Sequence, residues 1–156
     1  MSFLGSTIPP TAEEEPPLAN DGFAPEIDLQ AVRAAIRLDG TVTPARLRHA
    51  VTNAVLEVNA AIADWRAAQR AAGYDTLAEV PGPRLGEERA LVLHYLRAVY
   101  ASAHASLVEA YRDFDTTGAG DKRAEKLELS ADALRRDSQW AIADLVGRRR
   151  TTVELI

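Results

Sequence analysis

Apolar residues recur at steps of three and four along three long stretches of this chain, a spacing that predicts helices. The first stripe is Leu47, Val51, Val55, Val58, Ile62 and Trp65. Thr43 and Pro44 precede it as N-cap and first helical residue, and Gly73 follows as a stop. One helix is therefore expected from Pro44 to about Ala72. The second stripe runs through Leu91, Tyr95, Val99, Ala103, Leu107, Tyr111 and Phe114, and Val92, Leu96, Tyr100 and Val108 widen it. It predicts a central helix over about Glu87–Phe114, touched from several sides. The third stripe, Leu127, Ala131, Leu134, Ser138, Ala141 and Leu145, predicts a helix from about Lys122 to Val146, stopped by Gly147. A shorter helix fits Leu29–Leu38, with Asp28 as N-cap and Gly40 as stop. The fold class is all-α: a bundle of three long helices plus one short N-terminal helix.

The pattern fails at both ends, which divides the chain into an extended arm (1–27), a helical body (28–147) and an extended tail (148–156). In the arm, Ile8-Pro9-Pro10, Pro16-Pro17 and Pro25 oppose helix, and Glu13-Glu14-Glu15 repel one another. Two readings fit it: a disordered tail, or an arm that orders on a neighbouring subunit through Leu18, Phe23 and Ile27. At the other end, Thr151–Ile156 is rich in β-branched residues and reads as a strand. No second strand candidate stands elsewhere in the sequence, so it would pair with another molecule or fray. Gly73–Gly86, with Pro81 and Pro83, reads as a loop holding one helical turn near Leu77-Ala78-Glu79.

Composition narrows the function. The chain has 156 residues, no cysteine and a formal charge of −5. That is enough for one self-sufficient core, and it leaves no disulfide or thiolate metal site. The acidic balance argues against a dedicated nucleic-acid binder. No secretory signal and no bilayer-spanning run is expected. His49, His94 and His104 form neither an HExxH motif nor an i,i+4 pair, so no metal helix is expected. Ser102 and Ser106 lack a nucleophile elbow and read as small residues that let helices approach. The carboxylates stand mostly three or four residues from Arg or Lys, as Asp132 does from Arg135 and Arg136. Surface ion pairs account for them, and no enzyme activity or cofactor is expected.

Two motifs carry sharper alternatives. Asp113, Asp115, Thr117 and Gly118 match positions 1, 3, 5 and 6 of a calcium-binding EF-hand, but Ala124 stands where the bidentate Glu is needed. Gly118, Gly120 and Lys122 are too closely spaced for a phosphate loop. Tyr111–Ala124 therefore reads as a polar turn in which Asp113 and Asp115 cap backbone amides or meet an arginine of a neighbour. Arg148-Arg149-Arg150 falls at a helix C-terminus, where the backbone dipole favours positive charge. The alternative is contact with DNA phosphate or an acidic partner surface.

The order of several segments resembles the head completion proteins of P2-like tailed phages over nearly the whole chain. The resemblance rests on Asn20-Asp21-Gly22-Phe23 with Pro25-Glu26-Ile27, and on Arg37-Leu38-Asp39-Gly40-Thr41-Val42 followed by Arg46-Leu47. It continues through Arg97-Ala98-Val99-Tyr100 and Tyr111-Arg112-Asp113-Phe114-Asp115-Thr116-Thr117. It closes with Arg135-Arg136-Asp137, Trp140-Ala141-Ile142 and Thr152-Val153-Glu154-Leu155-Ile156.

This resemblance implies a structural virion component with no catalytic residues. Such proteins join the portal vertex after DNA packaging, and a neck or tail-completion protein then attaches. They are similar in design to helical head–tail adaptors, which form a ring with copies of themselves, usually twelve-fold, under the portal protein. It places the chain in the virion, and in the host cytoplasm during assembly. Under this reading Thr151, Thr152, Val153, Glu154, Leu155 and Ile156 bind the portal. Leu18, Phe23, Ile27, Asp113 and Asp115 serve the subunit interface, and Arg148, Arg149 and Arg150 touch DNA or an acidic surface. The competing class is a non-viral helical scaffold or regulatory binding module.

Overall fold

A computed structural model describes residues 15–38, 42–112 and 118–149, with backbone alone for 111, 112 and 118–130. The described chain is mostly helical: α1 (Leu29–Ala35), α2 (Pro44–Ala61), α3 (Ala63–Ala71), α4 (Ala90–Arg112) and α5 (Gly118–Val146). A small antiparallel hairpin, β1 (Arg84–Leu85) and β2 (Glu88–Arg89), leads directly into α4. Antiparallel α4 and α5 pack along one another, and α2 lies antiparallel against α4.

Local chemistry accounts for the helix ends. Asp28 accepts from the Gln30 and Ala31 amides at 2.9 and 3.1 Å, and Thr43 accepts from the Arg46 amide at 3.3 Å ahead of Pro44. Gly73 (φ 96°) and Gly147 (φ 73°) end α3 and α5 as expected, in the left-handed conformation that glycine adopts without a Cβ clash. The Arg148 amide reaches back to the Ala143 carbonyl at 2.9 Å and completes the stop.

The core follows the predicted stripes. Leu47, Val51, Val55, Val58 and Ile62 from α2, and Tyr95, Val99, Ala103 and Leu107 from α4, are buried. Ala131, Ser138, Ala141 and Leu145 supply the buried face of α5. Small residues there allow close approach, and Ser138 Oγ donates to the Ala98 carbonyl at 2.9 Å. Tyr111, Phe114 and Leu127 lie outside the described side chains.

Several expectations need correction. The single helix expected over 44–72 is two, because the backbone deviates at Ile62 (φ −102°, ψ 7°) without proline or glycine. Tertiary contacts override the local pattern there, since Ile62 is fully buried. α1 stops at Ala35, short of Leu38, and its left-handed exit is Arg37 (φ 53°), ahead of Gly40. Residues 77–79 make a turn and no helix. The hairpin occupies Arg84–Arg89, so α4 begins at Ala90 rather than Glu87, and the tail is not the chain's only strand candidate. Gly86 (φ 64°) supplies the turn that period counting overlooks. α5 begins at Gly118, so Gly118–Asp121 is helical where a turn is expected, against the low helix propensity of its two glycines.

The largest departure concerns residues 15–27, which form no detached arm. Leu18 and Ile27 exchange backbone hydrogen bonds at 2.8 and 2.9 Å, closing a loop whose tip packs on the bundle. Phe23 and Ile27 are 1% and 0% exposed within their own chain. The extended-arm boundary at residue 27 therefore does not describe these residues. They contain proline but still carry enough apolar surface to repay ordering.

Candidate functional site

The loop 18–27 is held by a polar cluster set into the apolar core. Asn20 lies at its centre. Its Nδ2 donates to Tyr95 Oη and to the Pro25 carbonyl, both at 2.8 Å, while its Oδ1 accepts from Asn59 Nδ2 at 2.9 Å. Tyr95 Oη donates in turn to Asn59 Oδ1 at 2.8 Å. Asp21 closes the turn by accepting from the Phe23 and Ala24 amides at 3.0 and 2.9 Å, and it pairs with Arg66 of α3. Phe23 then meets Trp65 edge-on at 6.3 Å, and its carbonyl accepts from the Leu77 amide at 2.8 Å. One loop thereby ties α2, α3, α4 and the 73–83 connection together.

A second tie lies at the other end of α2. Arg33 pairs with the buried Glu15 and donates to the Val42 carbonyl at 2.9 Å, while Arg48 donates to the Pro16 carbonyl at 2.7 Å. No buried side-chain N or O atom among the described residues lacks a hydrogen-bond partner.

These environments move proton affinities. Burial pushes the Tyr95 hydroxyl up to about 12, so it remains a neutral donor at physiological pH. Burial raises the Asp21 carboxyl, but the Ala24 and Phe23 amides and the Arg66 charge outweigh it and hold the group below its ordinary value. A depressed acid contributes stability above its unfolded pKa of about 3.9, and that contribution is lost as pH falls through the folded value. Thermal melts of the wild type are therefore expected to lose stability below about pH 4 more steeply than melts of Asp21→Asn. Parallel acid profiles would show that the loop anchor is not ionic.

Further polar groups link the helices. Arg97 pairs with Asp137 and approaches Asp144 at 3.7 Å, and Arg135 pairs with Glu109, so both link α4 to α5. Arg135 thus reaches across helices, beyond the expected neighbour Asp132. Ser102 donates to Glu57 at 2.7 Å and Ser106 to the Ser102 carbonyl at 3.1 Å. Burial lowers the proton affinity of His104. Among the described residues no group of His, Asp or Glu is arranged to hold a metal ion, and no helix is long and apolar enough to cross a membrane.

Of the predicted site residues, Leu18, Phe23 and Ile27 come together on their own chain, Phe23 and Ile27 buried and Leu18 half-buried. Arg148 and Arg149 are exposed just past α5. Asp113, Asp115, Arg150 and Thr151–Ile156 lie outside the described residues, as do Thr117 and the EF-hand alignment built on it. Sequence reasoning missed the roles of Asn20, Asn59, Arg66 and Tyr95. The available signals were the Asn20-Asp21-Gly22 turn and a polar Asn59 set beside the stripe of Val55, Val58 and Ile62.

The described surface carries one further concavity of note. A cleft of about 540 Å³ opens between the first half of α2 and the last turns of α4. Ala45, Arg46, His49 and Asn53 line one side, and Leu107 and Ala110 the other. Its wall is mostly apolar and holds no constellation for acid–base or nucleophilic chemistry.

The profile of the family "Phage head completion protein (GPL)" matches residues 18–156. The head completion/stabilization protein of Escherichia phage P2 is 42% identical over 149 residues, covering 96% of this chain and 88% of that protein. No solved structure matches the chain. Both matching descriptions are of head completion proteins. A match this long, over a body whose polar groups are engaged in holding helices and loop together, settles the kinship: the chain belongs to the phage head completion protein (GPL) family.

Proposed function

We propose that this protein is a virion component that binds the portal vertex as a ring after DNA packaging and gives the neck or tail its platform. The observation that carries the reading is family membership over residues 18–156. The geometry supports it. Among the described residues every buried side-chain polar atom is hydrogen-bonded, as suits a bundle that spaces other proteins apart, and its cleft is mostly apolar.

In this reading Thr151–Ile156 adds a strand to an exposed sheet edge of the portal protein. Main-chain hydrogen bonds supply affinity, and Val153 and Leu155 fill pockets on one face. Arg148–Arg150 meets acidic portal surface or packaged DNA, and Asp113 and Asp115 accept an arginine of the adjoining subunit.

Complementation tests this. DNA-filled heads made without the chain are expected not to accept tails, and added purified protein is expected to restore infectious particles. Tail attachment at full yield without the protein would remove the platform role.

A further inference from the structure

The β1–β2 hairpin has two chemically different faces. Its register pairs Arg84 with Arg89 and Leu85 with Glu88, and each pair shares a face. The arginine face turns back on its own chain. Arg84 donates to the Glu87 carbonyl at 2.7 Å, and Arg89 donates to the Ala78 and Gly82 carbonyls at 3.2 and 3.3 Å. The other face presents Leu85, which is 73% exposed, beside the exposed Glu88 carboxylate. A lone exposed leucine carries no weight. A leucine paired with an acid on a protruding hairpin has a definite complement: an apolar hollow with a positive rim.

The α2–α4 cleft has that chemistry. Ala45, Ala50, Leu107 and Ala110 make its lining mostly apolar, and Arg46 lines it beside Ala45. It opens beside the first turn of α2, where the helix dipole favours negative charge and that turn itself carries no acidic residue.

Hairpin and cleft lie at opposite ends of α4. The hairpin ends at Arg89, and the cleft involves Ser106, Leu107 and Ala110, roughly 24 Å further along the helix axis at 1.5 Å per residue. One chain cannot bring them together. Two copies can, and a head-to-tail contact between different surfaces closes into a ring when its rotation permits.

We propose that the β1–β2 hairpin of one copy seats in the α2–α4 cleft of a second copy, with Leu85 against the apolar lining and Glu88 facing Arg46. The contact rests on the ring reading above and names its subunit interface.

Cross-linking on heads tests it. The chain has no cysteine, so Leu85→Cys with Ala110→Cys gives two unique thiols at exposed positions. The full-length double variant is added to DNA-filled heads lacking the protein, treated with a short bismaleimide and resolved under denaturing conditions. A ladder above dimer is expected from the double variant, and none above dimer from either single variant. Labelling with a monofunctional maleimide confirms that both thiols react. Separately, Glu88→Arg and Arg46→Glu should each lower loading onto heads about tenfold, and the combined reversal should restore it. Arg46→Glu adds an acid to the first turn of α2, which the helix dipole tolerates.

Several copies per head with no ladder would overturn the hairpin–cleft contact and leave the ring standing. One copy per head, again with no ladder, would overturn both. Failure of the double reversal to restore loading would remove the Glu88–Arg46 pairing.

Discussion

Replacing Tyr95 by alanine should destabilise the protein by about 3–5 kcal/mol, enough to unfold a marginal domain of this size. The ring is fully buried, and removing it leaves a cavity between α2, α4 and the loop 18–27. Its hydroxyl also joins Asn20 and Asn59, so the same change leaves two amides without that partner. Tyr95→Phe separates the terms. It keeps the ring and removes only the hydroxyl, and it should cost about 1–3 kcal/mol through the unsatisfied amides. Chemical denaturation would measure both, and limited proteolysis would show whether the loop 18–27 opens first. A phenol raised to about 12 contributes stability fully present below its unfolded pKa of 10.0 and lost as pH rises through the folded value. Wild type should therefore weaken between about pH 10 and 12, and Tyr95→Phe should lack that component. A Tyr95→Phe variant as stable as wild type with the same alkaline profile would show that the polar cluster contributes nothing measurable.

Deleting Thr151–Ile156 should have the largest functional effect, with almost no structural one. α5 is closed by Gly147 and by the Arg148 amide, which donates to the Ala143 carbonyl, so the helix ends before those six residues begin. The protein's unfolding free energy should stay within the range of surface changes, about 0.5 kcal/mol. If the tail adds a strand to the portal, about four main-chain bonds are lost, each worth roughly 1 kcal/mol net. The two apolar anchors, Val153 and Leu155, go with them. Loading onto heads should then fall roughly a thousandfold or more. Val153→Asp or Leu155→Asp should weaken loading strongly, while Glu154→Ala should not. A truncated protein that completes heads at the wild-type level would assign the portal contact elsewhere.

The helical body was legible in the sequence because its stripes are long and regular. Leu47 through Ile62 and Tyr95 through Leu107 each hold one period over several turns, and the structure buries them. Stops were legible where glycine takes left-handed φ, at Gly73 and Gly147. The break at Ile62 was not, because it carries no proline or glycine. The hairpin was too short for its period to register: two residues per strand cannot show alternation.

The loop 18–27 was misread for a different reason. Proline and acidic residues argue locally against order, whereas Asn20, Asp21 and Phe23 find their partners 39 to 75 positions away in the chain, at Asn59, Arg66, Leu77 and Tyr95. Pairings that distant leave no mark on local pattern. The chemistry of the α2–α4 cleft was hidden similarly, since Ala45 and Ala110 acquire meaning only when α2 and α4 lie side by side.

The most direct measurement is a side-chain-resolution map of the portal vertex in completed heads. The account predicts a closed ring of this chain beneath the portal, with α4 and α5 in its body and residues 151–156 laid against a portal sheet edge. A vertex without this chain, or one holding it with both ends away from every neighbour, would contradict it.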